Sequence, residues 1–261
     1  MAQDIICGRQ AARALDQALR KPDGHVPAIQ MVYISDSFPA KLKKDLSALL
    51  GKGPVQTMPS SELSRMTDLR HQGIVIRLKQ SLDSTASLQS KEAGLKQAFT
   101  DNPGVYVMLD RIQDEQNLGS IARSAEALGA KGLIITGKGA RPGSVAARVS
   151  AGATMLIPVF QTSSQSVVKT ARANEYWLLG ADFDPSSETE SISCHDLHKL
   201  PESGRFILVI GSEGDGMKSL LLDQCDFKLH IPLRGQTESL NAGVATAILL
   251  DRIIQFTETA Q

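Results

Sequence analysis

From residue 104 to the C-terminus, short unbroken apolar runs alternate with stretches whose apolar side chains recur at helical spacing, and no other feature limits the fold as strongly. The clearest apolar runs cover residues 105–109, 132–136, 177–181 and 206–210, and helical stretches fall at 118–128, 145–151, 164–174 and 240–256. A strand apolar on both sides must be covered on both faces, and a crossover helix is the usual connection between parallel strands. The pattern therefore predicts an α/β fold with a parallel sheet between helical layers. In such sheets, ligands bind beyond the carboxyl ends of the strands.

The first 80 residues alternate in the same way on a smaller scale. Helical spacing covers 8–20 and 39–50, a third short helix opens at Ser60 with a capping hydroxyl, and strand-like runs occupy 29–35, 54–58 and 73–78. Residues 80–91 are rich in Ser, Gln and Thr and read as a linker, followed by a short helix at 94–99 and a turn at Asn102, Pro103 and Gly104. The expected organisation is a small α/β domain over 1–79, a linker over 80–101 and a larger domain over 102–261. The formal net charge is zero, yet residues 1–80 hold 12 Lys or Arg against 7 Asp or Glu, whereas the remainder holds 16 against 21. A basic module joined to an acidic one suits a part that docks RNA and a part that does chemistry, although an imbalance of this size also arises by chance.

Several classes are disfavoured. No apolar run approaches the roughly 20 residues of a membrane-spanning helix, and the N-terminus lacks the basic-then-apolar order of a signal peptide. Cys7, Cys194 and Cys225 are odd in number and show no metal-ligand spacing. They point to a reducing, cytoplasmic setting and to no metal site.

Three polar segments each follow a predicted strand. In the first, Asp110 leads through a polar loop to Asn117, which stands where it can cap the next helix, and Arg123 lies about two turns further on. In the second, Gly211, Gly214 and Gly216 surround Glu213 after a buried strand, where glycine lets a ligand approach the backbone. The spacing fits neither a dinucleotide fingerprint nor a phosphate loop, and the acidic residues disfavour a phosphate ligand. In the third, a short strand ends at Pro232, and Ser239, Leu240 and Asn241 lead into a helix of small residues. Taken singly, these segments could be a helix cap with a surface arginine, a tight turn, and a closely packed core helix.

As an ordered set they resemble the SpoU/TrmH family of SPOUT-class RNA ribose methyltransferases, whose pattern is Asn-x-Gly-x-x-x-Arg, then Gly-x-Glu-Gly, then Ser-Leu-Asn after an Ile-Pro strand. Residues 1–79 are similar to that family's ribosomal-protein-like substrate-binding domain, including the closing stretch from His71 to Ile74. The arrangement most resembles members that methylate guanosine ribose in large-subunit ribosomal RNA. The resemblance implies a trefoil knot in the C-terminal domain, a homodimer built on the helices at 118–128 and 240–256, and S-adenosylmethionine as cofactor. It places the cofactor at Gly211, Glu213, Ile231, Leu233, Ser239 and Leu240, with Thr136 and Gly137 as a wall. It assigns function to Asn117, Arg123, Glu213, Ser239 and Asn241. Gly243 departs from the serine or alanine of many members and is expected to loosen its helix.

The chemistry implied is methyl transfer to a ribose 2′-hydroxyl without a metal. Arg123 is expected to steady negative charge on the oxygen rather than act as a base, because a guanidinium does not give up its proton in proteins. Asn117 and Asn241 would orient Arg123 and the ribose, Glu213 would anchor the arginine or its loop, and Ser239 would fix the cofactor loop. Transfer RNA is the alternative substrate, and a non-catalytic ribosome-assembly factor is the alternative class. A dinucleotide-dependent enzyme lacks the required glycine spacing.

Overall fold

The structure, a computed structural model, describes residues 5–20, 29–51, 53–68, 70–78, 92–181, 191–212 and 216–259. Two sheets organise these residues. The first runs β1 (Ile5–Cys7), α1 (Arg9–Arg20), β2 (Ile29–Ser35), α2 (Ala40–Leu50), β3 (Val55–Met58), α3 (Ser60–Met66) and β4 (Ile74–Leu78). Its strand order is β1-β4-β2-β3, with β4 antiparallel to both neighbours and β2 parallel to β3. Helix α1 buries Ala11, Ala14, Leu15 and Ala18 on this sheet. The same core takes in Ala147 and Met155, so the first sheet's layer packs against the second part of the chain. Ser60 does not cap α3 as expected: it is the first helical residue, Pro59 holds the cap position, and no side-chain cap bond forms.

The second part comprises α4 (Glu92–Asp101), β5 (Val105–Asp110), α5 (Glu115–Leu128), β6 (Gly132–Thr136), α6 (Ser144–Val149), β7 (Val159–Thr162), α7 (Ser164–Ala173), β8 (Trp177–Ala181), β9 (Ile192–Ser193), β10 (Phe206–Ile210), α8 (Ser219–Leu222), β11 (Phe227–His230) and α9 (Ala242–Thr259). Its seven strands lie in the order β7-β6-β5-β10-β8-β11-β9, and every pairing is parallel. The predicted parallel sheet between helical layers is therefore present. Alternate residues of β5 serve opposite faces, as the period of two requires. Val105, Val107 and Leu109 pack with Leu118, Ile121 and Ala122 of α5 and Leu249, Leu250 and Ile253 of α9. Tyr106 and Met108 pack on the other side with Leu95 and Phe99 of α4 and Val167 of α7.

The helix expected at 94–99 is longer, running from Glu92 to Asp101, and it belongs to this second sheet. Tyr106 fastens it by donating from its phenol to the carbonyls of Ala98 and Asn102, both at 3.0 Å. Burial pushes the phenol pKa up, which keeps that donor protonated. The linker expected before it, residues 80–91, lies outside the described residues. Among the described residues, no helix is long and apolar enough to cross a membrane.

Two glycines set how closely the helices on one face approach. A Cβ on Gly119 of α5 would sit 2.7 Å from the Ala146 carbonyl oxygen and 2.8 Å from Val149 Cβ, both on α6. A Cβ on Gly243 of α9 would sit 2.6 Å from Ser120 Oγ of α5. Gly243 is thus the residue that lets α9 lie against α5. Inserting a methyl group into a filled contact of this kind typically costs about 1–3 kcal/mol. Gly119→Ala should therefore lower unfolding free energy by about 1–3 kcal/mol in a urea titration, and an unchanged midpoint would show that α5 and α6 are not held at this distance.

Candidate functional site

The carboxyl ends of β5, β6 and β10 meet at a small polar network. Asp110, 4% exposed, ends β5. Its Oδ1 accepts from Thr136 Oγ1 at 3.2 Å, and the same hydroxyl lies 3.2 Å from the Leu109 carbonyl. Its Oδ2 accepts from Arg111 Nε at 3.2 Å. Arg111 Nη2 reaches across to the Gly216 carbonyl at 3.4 Å. Thr136 is fully buried with its hydroxyl committed to this network, so its side chain supports the strand end, while Gly137 beyond it is exposed. Asp110 and Arg111 were not singled out in the sequence, although a charged pair directly after an apolar strand was a visible signal.

After β10 the chain pinches back on itself. Ser212 N–H donates to the Gly216 carbonyl at 3.1 Å, Gly216 N–H donates to the Ser212 carbonyl at 2.9 Å, and Ser212 Oγ donates to the Gly216 carbonyl at 3.2 Å. A Cβ on Gly211 would lie 2.5 Å from the Gly216 carbonyl carbon. Glycine is required here by the close approach of the loop's own backbone. Glu213, expected both at the cofactor and among the catalytic groups, lies outside the described residues.

The first and third motifs come together across 124 residues of sequence. Asn241 Oδ1 accepts from the N–H groups of Gly243 at 2.9 Å and Val244 at 3.4 Å, capping α9. That leaves Asn241 Nδ2 to donate to Asn117 Oδ1 at 2.8 Å. The cap sets the orientation of one amide, and the hydrogen bond between them sets the other. Asn117 itself is not the cap of α5. Asp114 fills that role, accepting from Gln116 N–H at 2.8 Å, and Asn117 is the buried third residue of the helix. Likewise α9 opens at Ala242 behind Asn241, so Ser239 and Leu240 remain in the preceding loop. Strand β11 ends at His230, before Pro232, which has no N–H for a ladder.

Ile231, Leu233, Ser239 and Leu240 line a cavity of about 120 Å³ whose remaining wall is Ala181, Leu229, Ala245 and Leu249. Those last four read in the sequence as ordinary strand and helix core, so their place at the cavity was not apparent. Among the described residues, 231–240 form no backbone–backbone hydrogen bond. The cavity is thus an apolar slot edged by backbone groups that a ligand can engage. Arg123 stands on the exposed side of α5 and takes no hydrogen-bond or ion-pair partner among the described residues. A larger cleft of about 440 Å³, lined by Lys199, Asp223, Asp226 and Lys228 among others, begins at the opposite end of β11 and holds none of these residues.

The SpoU rRNA Methylase family pattern matches residues 104–251. A Staphylococcus saprophyticus protein named for the TrmH family of tRNA/rRNA methyltransferases is 30% identical over 265 residues, covering 98% of this chain and 96% of its own. An AdoMet-bound rRNA methyltransferase from Sinorhizobium meliloti superposes with a TM-score of 0.73 at 21% identity, covering 97% of this chain and 87% of that one. The SpoU methyltransferase AviRb from Streptomyces viridochromogenes superposes with a TM-score of 0.71 at 22% identity, covering 99% and 91%. At these identities the two structures bear on the fold, whereas the family match and the staphylococcal relative bear on descent. The chain belongs to the SpoU rRNA methylase family of RNA methyltransferases.

Proposed function

We propose that this protein transfers the methyl group of S-adenosylmethionine to a ribose 2′-hydroxyl of RNA, with large-subunit ribosomal RNA as the target. The observation that carries it is the apolar slot of Ile231, Leu233 and Leu240, edged by backbone groups unpaired among the described residues, with Leu240 directly preceding Asn241 of the Asn117–Asn241 pair. An adenine ring needs such a setting: apolar faces above and below, and backbone donors and acceptors along its edge. The Sinorhizobium structure, of the same fold, is an AdoMet-bound enzyme.

When bound, S-adenosylmethionine supplies the electrophilic methyl group, so the chain's own residues need only bind, orient and manage charge. Ser239 and the backbone of Gly211 and Leu240 hold the cofactor, with Gly137 at the wall. Asn117 keeps an amide Nδ2 free to donate, because its Oδ1 is taken by Asn241. Arg123, exposed and unpaired among the described residues, steadies the charge that develops on the 2′-oxygen and grips an adjacent phosphate. Glu213 anchors Arg123 or the glycine loop. The same proposal includes the trefoil knot, a homodimer and a cytoplasmic setting, the last suited by three free cysteines. Mapping ribose methylation in cells with and without the gene tests it, and loss confined to transfer RNA would move the target to that class.

Arg123→Ala should slow methyl transfer by roughly 100- to 1000-fold, the usual effect of removing one donor aimed at a developing oxyanion. Cofactor affinity and melting temperature should stay near wild type. Arg123→Lys should fail almost as badly, since a point charge cannot replace a planar fork. Single-turnover rates on saturating RNA beside a melting curve decide this, and near-normal turnover in folded Arg123→Ala would remove the assigned role.

Residues 1–79 are proposed to supply RNA affinity. A chain beginning at Glu92, which keeps α4 on its sheet, should bind cofactor yet show weaker RNA binding with a shallower salt dependence, because fewer phosphates are contacted. Unchanged affinity and slope would contradict that division. Light scattering at micromolar concentration should give about twice the 28.0 kDa chain mass, and an active monomer would exclude an obligatory dimer.

A further inference from the structure

Arg111 adopts a left-handed backbone conformation, φ 57°, which a side chain other than glycine or asparagine rarely takes. It does so immediately after β5, at the carboxyl edge where the site forms. A second concession sits beside it: a Cβ on Gly137, also left-handed at φ 69°, would lie 3.1 Å from Arg111 Cγ. Two strand ends thus give way to one side chain that makes no part of either hydrophobic core.

What that side chain reaches explains its place. Its Nε meets the buried Asp110 carboxylate at 3.2 Å, and that carboxylate also takes the Thr136 hydroxyl. Its Nη2 meets the Gly216 carbonyl, the oxygen that closes the pinched turn with Ser212. Among the described residues, the guanidinium is the side chain that links β5 and β6 on one side to the turn after β10 on the other. A fork with donors on two edges can hold both at once, which a lysine ammonium at the same place could not.

We propose that Arg111 is a positioning residue for the cofactor site, tying the Gly211–Gly216 turn to the Asp110–Thr136 pair so that three strand ends present one fixed edge to S-adenosylmethionine. The inference deepens the functional reading above and rests on it. Without the tie, the turn keeps its own internal hydrogen bonds but is no longer held against β5 and β6. The cofactor then has to order it on binding, which weakens affinity.

Two variants separate this role from simple charge balance. Arg111→Gly accommodates the left-handed backbone but leaves the Asp110 carboxylate buried without its cation, which lowers the melting temperature. The double variant Asp110→Asn with Arg111→Gly removes that charge and keeps an acceptor for Thr136, so it should melt near wild type. Calorimetry with S-adenosylmethionine should show both variants weakened by about tenfold, the worth of one hydrogen bond to a charged group. Hydrogen exchange in the cofactor-free proteins should show the Ser212 and Gly216 amides opening faster in both. A double variant that regains stability, affinity and slow exchange together would overturn the proposal, because Arg111 would then serve only to neutralise Asp110. Wild-type protein that binds no S-adenosylmethionine would overturn the functional reading and this inference with it. Wild type that binds, beside variants that bind equally, overturns the inference alone.

Discussion

The 2.8 Å hydrogen bond from Asn241 to Asn117 spans 124 residues of sequence, and it forms only where α5 and α9 lie at backbone distance from each other. That distance depends on Gly243, which meets Ser120 where any side chain would intrude. Gly119, the residue before Ser120, does the same against α6. The hydrogen bond itself is worth only about 1 kcal/mol net. The apolar residues of α5 and α9 that pack on Val105, Val107 and Leu109 hold the helices in place, and the amide pair reads out that placement. A site built this way inherits its precision from close packing rather than from the strength of its own polar contacts.

The division of labour between strands and loops follows from the same logic. All seven strands of the larger sheet run parallel, so their carboxyl ends lie on one edge. Strand β10 inserts between β5 and β8, which brings the turn after Ile210 beside Asp110. The central strands β5, β6 and β10 are buried along their whole length. The segments that face a ligand are irregular, because only backbone not committed to a ladder has donors and acceptors to offer. Residues 231–240 illustrate this: Pro232 cannot continue the ladder of β11, and the loop that follows stays unpaired until Asn241 caps α9.

Much of this was legible from side-chain pattern alone. The strands at 132–136, 177–181 and 206–210 appear with the boundaries their apolar runs predict. Strands β7 and β9 escaped notice, being short and at or near the sheet's edges, where two-sided burial leaves a weaker signature. Helix starts were displaced in two places. Asp114 rather than Asn117 reaches the free N–H at the head of α5, and α9 opens at Ala242 rather than at 240 because Asn241 caps it. The motif residues Asn117 and Asn241 could be named from spacing, but their contact could not, since spacing carries no information about which helices lie side by side.

What the sequence by itself determined is the alternation of two-sided apolar strands with amphipathic helices, and with it the parallel sheet and the edge where a ligand can bind. Those follow from hydrophobic burial, which is a local property of each segment. Only the tertiary structure decided that Gly211 and Gly243 make room for neighbouring backbone and side chain. It alone turned Arg111 into a link between strand ends and made a cavity wall of Ala181, Leu229, Ala245 and Leu249. Each of these depends on atoms brought within a few ångströms from distant parts of the chain, and that proximity exists only once the sheet has closed the distance.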